Sequence, residues 1–146
     1  MLTTPPIAEV AGHLRLVVAR TARRLRQEAS ADLSPSLISA LASVDRHGPL
    51  TPSELASHER VQRPTVTRVL ARLEELGLIE RAPDPADRRS SLISTSAAGR
   101  ALLRRQRSRK DLYLARRLAT LEPDELATLD RAAVILERML DEEGRR

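Results

Sequence analysis

No cysteine occurs in the 146 residues, which excludes disulfide staples, thiolate zinc sites and thiol-based redox sensing. A reducing cytosol suits such a chain. Aromatic residues are almost as scarce: Tyr113 stands alone, with no Phe and no Trp. The core must therefore be assembled from Leu, Ile, Val and Ala, a composition that favours packed helices. Nowhere do about 18 apolar residues run together, so no membrane span is expected. The Met1–Ile7 segment has neither the basic n-region nor the apolar h-region of an export signal. The five glycines stand singly, so no glycine-rich loop is available to cradle phosphate. His13, His47 and His58 are far apart in the sequence, and neither His-x-x-x-His nor Gly-x-Ser-x-Gly occurs. An enzyme, a metal site and a cofactor are therefore not expected.

What is present describes a folded, basic chain. Hydrophobic residues make up 41% and charged residues 31%, too apolar for disorder and sufficient for one compact domain. Lys plus Arg is 25 against 20 for Asp plus Glu, a formal charge of +5 that suits a polyanionic partner. Lys110 is the only lysine. Nearly every cation is thus a planar guanidinium fork matched to phosphate and guanine. A genome-wide preference for arginine codons explains much of that bias, so the imbalance by itself decides nothing.

Along the chain, Ile7, Val10, Ala11, Leu14, Val17, Val18 and Leu25 recur with a helical period and arginines between them, predicting a long amphipathic helix from Ile7 to Glu28. Ser34-Pro35 is a helix start, and Leu37, Ile38, Leu41 and Val44 carry the period to Gly48-Pro49. Thr51-Pro52-Ser53-Glu54 has capping-box spacing; Leu55 and Ala56 face inward, and His58–Gln62 reads as a turn. A second helix then opens near Pro64 and carries the stripe Val66, Val69, Leu70, Leu73 and Leu76 as far as Gly77.

At about 100° per residue, the opposite face of that helix presents Pro64, Thr67, Arg68, Ala71 and Glu75, flanked by Thr65 and Arg72. After Gly77 the pattern turns β-compatible at Leu78–Arg81 and again at Ser91–Ser94, with Pro83–Arg89 between them as a stiff basic tip. Ser96 can cap a further helix running to about Leu118, roughly 33 Å long. Glu122-Pro123-Asp124-Glu125 opens the last helix, whose Leu126, Leu129, Ala133, Leu136 and Leu140 form a heptad-like seam.

Helix, turn, helix and a two-stranded wing can place one helix in a major groove and a loop in the neighbouring minor groove of double-stranded DNA. Gln62, Arg63, Pro64, Thr65, Thr67, Arg68 and Arg72 supply the donors and the close approach for the first task. Arg88 and Arg89 supply a guanidinium for the second, on a loop restrained by Pro83 and Pro85, with Asp87 placed to orient an arginine. Against this stands a solvated face with surface ion pairs of little energetic worth. A second alternative is a winged-helix module that binds an acidic protein. A protein partner would more often demand exposed Tyr, Trp or Met anchors.

Leu50-Thr51-Pro52-Ser53-Glu54-Leu55-Ala56, Arg63-Pro64-Thr65-Val66-Thr67-Arg68, Leu73-Glu74-Glu75-Leu76-Gly77-Leu78-Ile79-Glu80-Arg81 and Asp84-Pro85-Ala86-Asp87-Arg88-Arg89 resemble the MarR (multiple antibiotic resistance regulator) family. The resemblance extends over roughly Leu33 to Leu103. Its Asp-x-Arg wing signature falls on Asp87 and Arg89. Thr95 stands where the family usually has leucine, and Ser96 where it has threonine, which keeps a capping hydroxyl.

The resemblance implies a mainly α fold with a small β-hairpin wing, a winged helix-turn-helix at residues 34–95 flanked by long dimerisation helices at 7–30 and 96–143, all in one domain over 1–146. It implies a bacterial transcription regulator, usually a repressor, acting in the cytoplasm as a homodimer on a pseudo-palindromic operator. The apolar surface of Ile7, Val10 and Leu14 and of Leu126, Leu129, Leu136 and Leu140 agrees, exceeding what a small winged module can bury. Many relatives answer to small phenolic or other aromatic effectors. His13, Arg20 and Tyr113 are the candidate lining residues here, and a thiol-oxidation response is excluded because there is no cysteine to oxidise.

Overall fold

The computed structural model describes residues 3–29 and 33–144; Met1, Leu2 and residue 30, which entered the expectations above, lie outside them. Eight elements follow one another: α1 (Ile7–Ala29), α2 (Pro35–His47), α3 (Pro52–Glu59), α4 (Arg63–Glu75), β1 (Ile79–Pro83), β2 (Ser91–Thr95), α5 (Ala97–Leu118) and α6 (Pro123–Glu143). This is the mainly helical class with a two-stranded wing that the sequence predicts. No helix among the described residues is long and apolar enough to cross a membrane.

Local chemistry sets the helix starts. Ser34 Oγ accepts from the Leu37 amide at 3.4 Å and Thr51 Oγ1 from the Glu54 amide at 3.2 Å, each satisfying an orphan donor of a first turn that opens with proline. The return bond of the expected capping box, from the Thr51 amide to the Glu54 carboxylate, is not formed among the described residues. α3 also runs further than the predicted turn at His58. It ends at Glu59 because Arg60 takes the left-handed conformation, φ 54°, which lets the Val61 amide reach the Ala56 carbonyl at 3.1 Å.

At the end of α4, Gly77 at φ 70° turns the chain, and the Leu78 amide bonds the Leu73 carbonyl at 3.0 Å. That turn swings Leu76 off the predicted apolar stripe, leaving it 38% exposed, and puts Leu78 into the core instead. β1 accordingly begins one residue after the expected Leu78, and the hairpin pairs Ile79 with Thr95 through Pro83 with Ser91. A bridge between Leu50 and Ile93 adds a short third rung, held by amide–carbonyl bonds of 3.1 and 2.7 Å.

The core beneath the helix-turn-helix is aliphatic throughout: Leu41 and Val44 from α2, Leu55 from α3, Val66, Leu70 and Leu73 from α4, with Leu50, Ile79, Ile93 and Leu103 closing it. Each such side chain contributes about 1.5–3 kcal/mol on burial. The first turn of α5 is fastened to it. Ser96 Oγ donates to the Gly77 carbonyl at 2.6 Å and accepts from the Gly99 amide at 3.0 Å. Gly99 lies so close to the end of α4 that a Cβ there would fall 2.2 Å from the Leu78 carbonyl oxygen.

The packing separates residues 1–110 from residues 111–146, a boundary inside α5. In the first unit, α1 buries Ala29 and leaves Ile7, Val10, Leu14, Val17 and Val18 exposed. In the second, α6 opens with Glu125 Oε2 accepting from the Glu122 amide at 3.0 Å. None of its side chains is buried: Leu126, Leu129 and Leu140 of the predicted seam are exposed, and so are Val134, Ile135 and Met139. Leu136 is half-buried.

Candidate nucleic-acid interface

α4 is held by its buried edge, Val66, Leu70 and Leu73, so its other edge is fixed in orientation and open. That open edge carries Pro64, Thr67, Arg68, Ala71 and Arg72 as the sequence predicts, with Thr65 half-buried at its margin. Gln62 caps the helix by backbone only, and its side-chain amide makes no hydrogen bond among the described residues. Arg68 is exposed and makes no ion pair among the described residues.

Three of the predicted contact residues are already engaged. Arg63 Nη1 donates to Ser53 Oγ of α3, which ties the start of α4 to the preceding helix. Thr67 Oγ1 donates to the Arg63 carbonyl at 3.0 Å. Arg72 Nη1 meets Glu75 Oε2 at 3.0 Å, an exposed pair worth roughly 0–1 kcal/mol, weak enough for a phosphate to replace the carboxylate.

The wing tip is built by its two aspartates. Asp84 Oδ1 accepts from the Ala86 amide and Asp87 Oδ1 from the Arg89 amide, both at 2.9 Å. The Ser90 amide closes onto the Asp87 carbonyl at 3.1 Å. Asp87 therefore orients the backbone of Arg89, not its guanidinium, and the side chains of Arg88 and Arg89 stay exposed with no partner among the described residues. A turn held this way presents cations without spending them on its own acids.

One element of the interface escapes the sequence reading. Arg81 Nε of β1 meets Glu74 Oε2 of α4 at 2.7 Å, a strut between the exposed helix and the wing. Acid and base lie seven residues apart across a glycine turn, and only the turn geometry shows that they meet. The Arg63–Ser53 contact is equally invisible without the crossing of α3 over α4.

The other candidates are divided between the two units. His13 and Arg20 are exposed on α1 in the first unit, while Tyr113 belongs to the second, half-buried with the Arg117 guanidinium 5.5 Å from its ring centroid. His47 and His58 stack at 4.0 Å with an interplanar angle of 5°. Parallel imidazoles project their lone pairs in parallel planes, so this pair cannot chelate one ion. Among the described residues no group of three or more His, Cys, Asp or Glu could hold a metal.

Comparison with known proteins agrees with this architecture. The model of the MarR family matches residues 33–91, the helix-turn-helix and most of the wing. The HTH-type transcriptional regulator MT0903.1 of Mycobacterium tuberculosis is 40% identical over 136 residues, covering 92% of this chain and 95% of that protein. This chain belongs to the MarR family. The multiple antibiotic resistance protein MarR of Salmonella typhimurium is 34% identical over 100 residues, 68% of this chain and 69% of its own length. A transcriptional regulator of Pseudomonas aeruginosa has a crystal structure that superposes with TM-score 0.82 at 37% identity, covering 94% of this chain and 98% of that one. The Mycobacterium tuberculosis and Pseudomonas aeruginosa proteins are both named as transcriptional regulators. The winged helix-turn-helix is thus a DNA-binding one.

Proposed function

We propose that this MarR-family regulator acts as a homodimer on a pseudo-palindromic operator, with α4 in the major groove and the wing in the flanking minor groove. The observation that carries the reading is the set of uncommitted donors on one rigid scaffold: Gln62 and Arg68 on the open edge of α4, Arg88 and Arg89 at a wing tip locked by Asp84 and Asp87. Arg68 suits a bidentate contact to guanine, and Arg89 suits a narrow, strongly negative minor groove. Gln62, Arg63, Pro64, Thr65, Thr67, Arg72, Asp87 and Arg88 complete the interface as phosphate contacts, close approach and loop support.

Residues 34–95 form the DNA-binding part and the helices at 7–30 and 96–143 the dimerisation part. A 21-residue helix with no buried side chain, α6, supports the second assignment, since apolar stripes of this length are rarely left in water. Ile7, Val10 and Leu14 of α1 are exposed as well. A two-fold dimer would set its two α4 helices about one turn of DNA apart, 34–36 Å. The protein works in the cytoplasm as a repressor released by a small aromatic or phenolic effector, for which His13, Arg20 and Tyr113 are the contact candidates.

In vitro selection from random duplexes, followed by a salt titration of the winning sequence, tests this. A two-fold symmetric site is expected, with log affinity falling by about 0.9 per phosphate contact for each unit of log salt. An adaptor for an acidic protein would enrich no sequence, and that outcome refutes the proposal.

A further inference from the structure

Within the first unit, α2, α3 and the start of α4 leave a half-open cleft of about 170 Å³ between them. Leu55, Val61, Val66 and Val69 give it an apolar wall, Thr65 offers a hydroxyl, and Glu59 is the only ionisable residue that lines it. Glu59 is half-buried, and its carboxylate has no hydrogen-bond or ion-pair partner among the described residues. The space is close to the roughly 150 Å³ that admits benzene in an apolar protein cavity. An unpaired carboxylate at the edge of an apolar wall matches a ligand that carries a cationic hydrogen-bond donor on an apolar body.

We propose that this cleft is a binding site for a small aryl-alkylammonium ion, with the ring against Val61, Val66 and Val69 and the ammonium on the Glu59 carboxylate. The size admits one ring with a short arm, and the charge selects against the corresponding carboxylic acid. None of His13, Arg20 and Tyr113 lines this cleft, so it is a different place from the one at which those residues would meet an effector. The proposal does not depend on the DNA reading, and its test contains no DNA.

The test is titration of the ¹⁵N-labelled full-length protein, at neutral pH and physiological salt, with three probes of one shape: benzylammonium, benzyl alcohol and benzoate. Benzylammonium is expected to give saturable amide shifts centred on Leu55, Glu59, Val66 and Val69, with at least tenfold higher affinity than benzyl alcohol. Benzoate should not saturate. Glu59→Gln should lower the ammonium affinity to that of the alcohol, and Val69→Phe, which fills the cleft, should abolish both. Equal binding of all three probes, shifts outside the cleft, or unchanged ammonium affinity in folded Glu59→Gln would each overturn the assignment. Should Glu59→Gln not fold, the charge series on the unmodified protein and the Val69→Phe variant still decide it.

Discussion

Thr95 and Ser96 are adjacent buried hydroxyls, 6% and 7% exposed, with opposite hydrogen-bonding fates. Thr95 Oγ1 has no hydrogen-bond partner among the described residues, whereas Ser96 Oγ donates to the Gly77 carbonyl and accepts from the Gly99 amide. An unsatisfied buried polar group costs about 1–3 kcal/mol, so Thr95→Val, which exchanges that hydroxyl for a methyl of nearly equal volume, should stabilise the fold by about that amount. A chain of this size gains roughly 2–4 °C in Tm for each kcal/mol. Ser96→Ala removes two bonds and a helix cap and should destabilise by about 1–3 kcal/mol. Urea unfolding at one fixed protein concentration measures both, with an unchanged m-value required for the comparison. Opposite shifts of the midpoint are predicted. A lower midpoint for Thr95→Val would show that the threonine hydroxyl is satisfied after all, and the strand-end account would fail.

Other outcomes follow from the interface. Arg68→Ala should weaken operator binding by about 1–3 kcal/mol and relax the preference at one base position; equal losses on operator and random duplexes would remove its reading role. Arg89→Ala should lower affinity mainly for sites with A·T-rich flanks and make the salt slope shallower by about one contact; unchanged binding and footprint width would take the wing out of the mechanism. Breaking the Glu74–Arg81 strut by Glu74→Gln or Arg81→Met should cost roughly 0.2–1 kcal/mol of stability, because both side chains are partly solvated. The double variant should cost less than the sum of the singles, and strict additivity would show that the pair does not couple. Leu129→Glu with Leu140→Glu should leave a folded monomer by sedimentation equilibrium, and a persistent dimer would place the association surface elsewhere.

Most helix starts were legible because they rest on local chemistry: Ser34, Thr51 and Glu122 each precede a proline at the head of the helix they open. The open face of α4 was legible for a related reason, since Val66, Leu70 and Leu73 fix which side is buried and the remainder follows from helical geometry. The end of α3 was not, because it turns on an arginine in the left-handed region, where a glycine would ordinarily mark the stop. Nor were the commitments of Arg63, Arg72 and Arg81 readable. Each partner is chosen by how neighbouring elements cross or how a side chain folds back, and a residue type alone does not separate a free guanidinium from a tethered one. The extent of the apolar surface on α6 was underestimated in the same way, because Ile135 and Met139 fall outside a strict heptad seam while still widening the exposed face.

In the proposed complex two copies of α4, each paired with its wing, engage successive grooves of one duplex. Chemical footprinting of the bound operator, combining hydroxyl-radical cleavage with methylation interference at guanine N7, measures this directly. Two protected patches about 10–10.5 base pairs apart and related by two-fold symmetry are predicted, each with a major-groove interference position that disappears in Arg68→Ala and a minor-groove flank that disappears in Arg89→Ala. A single patch without symmetry, or protection without any major-groove interference, would contradict the account.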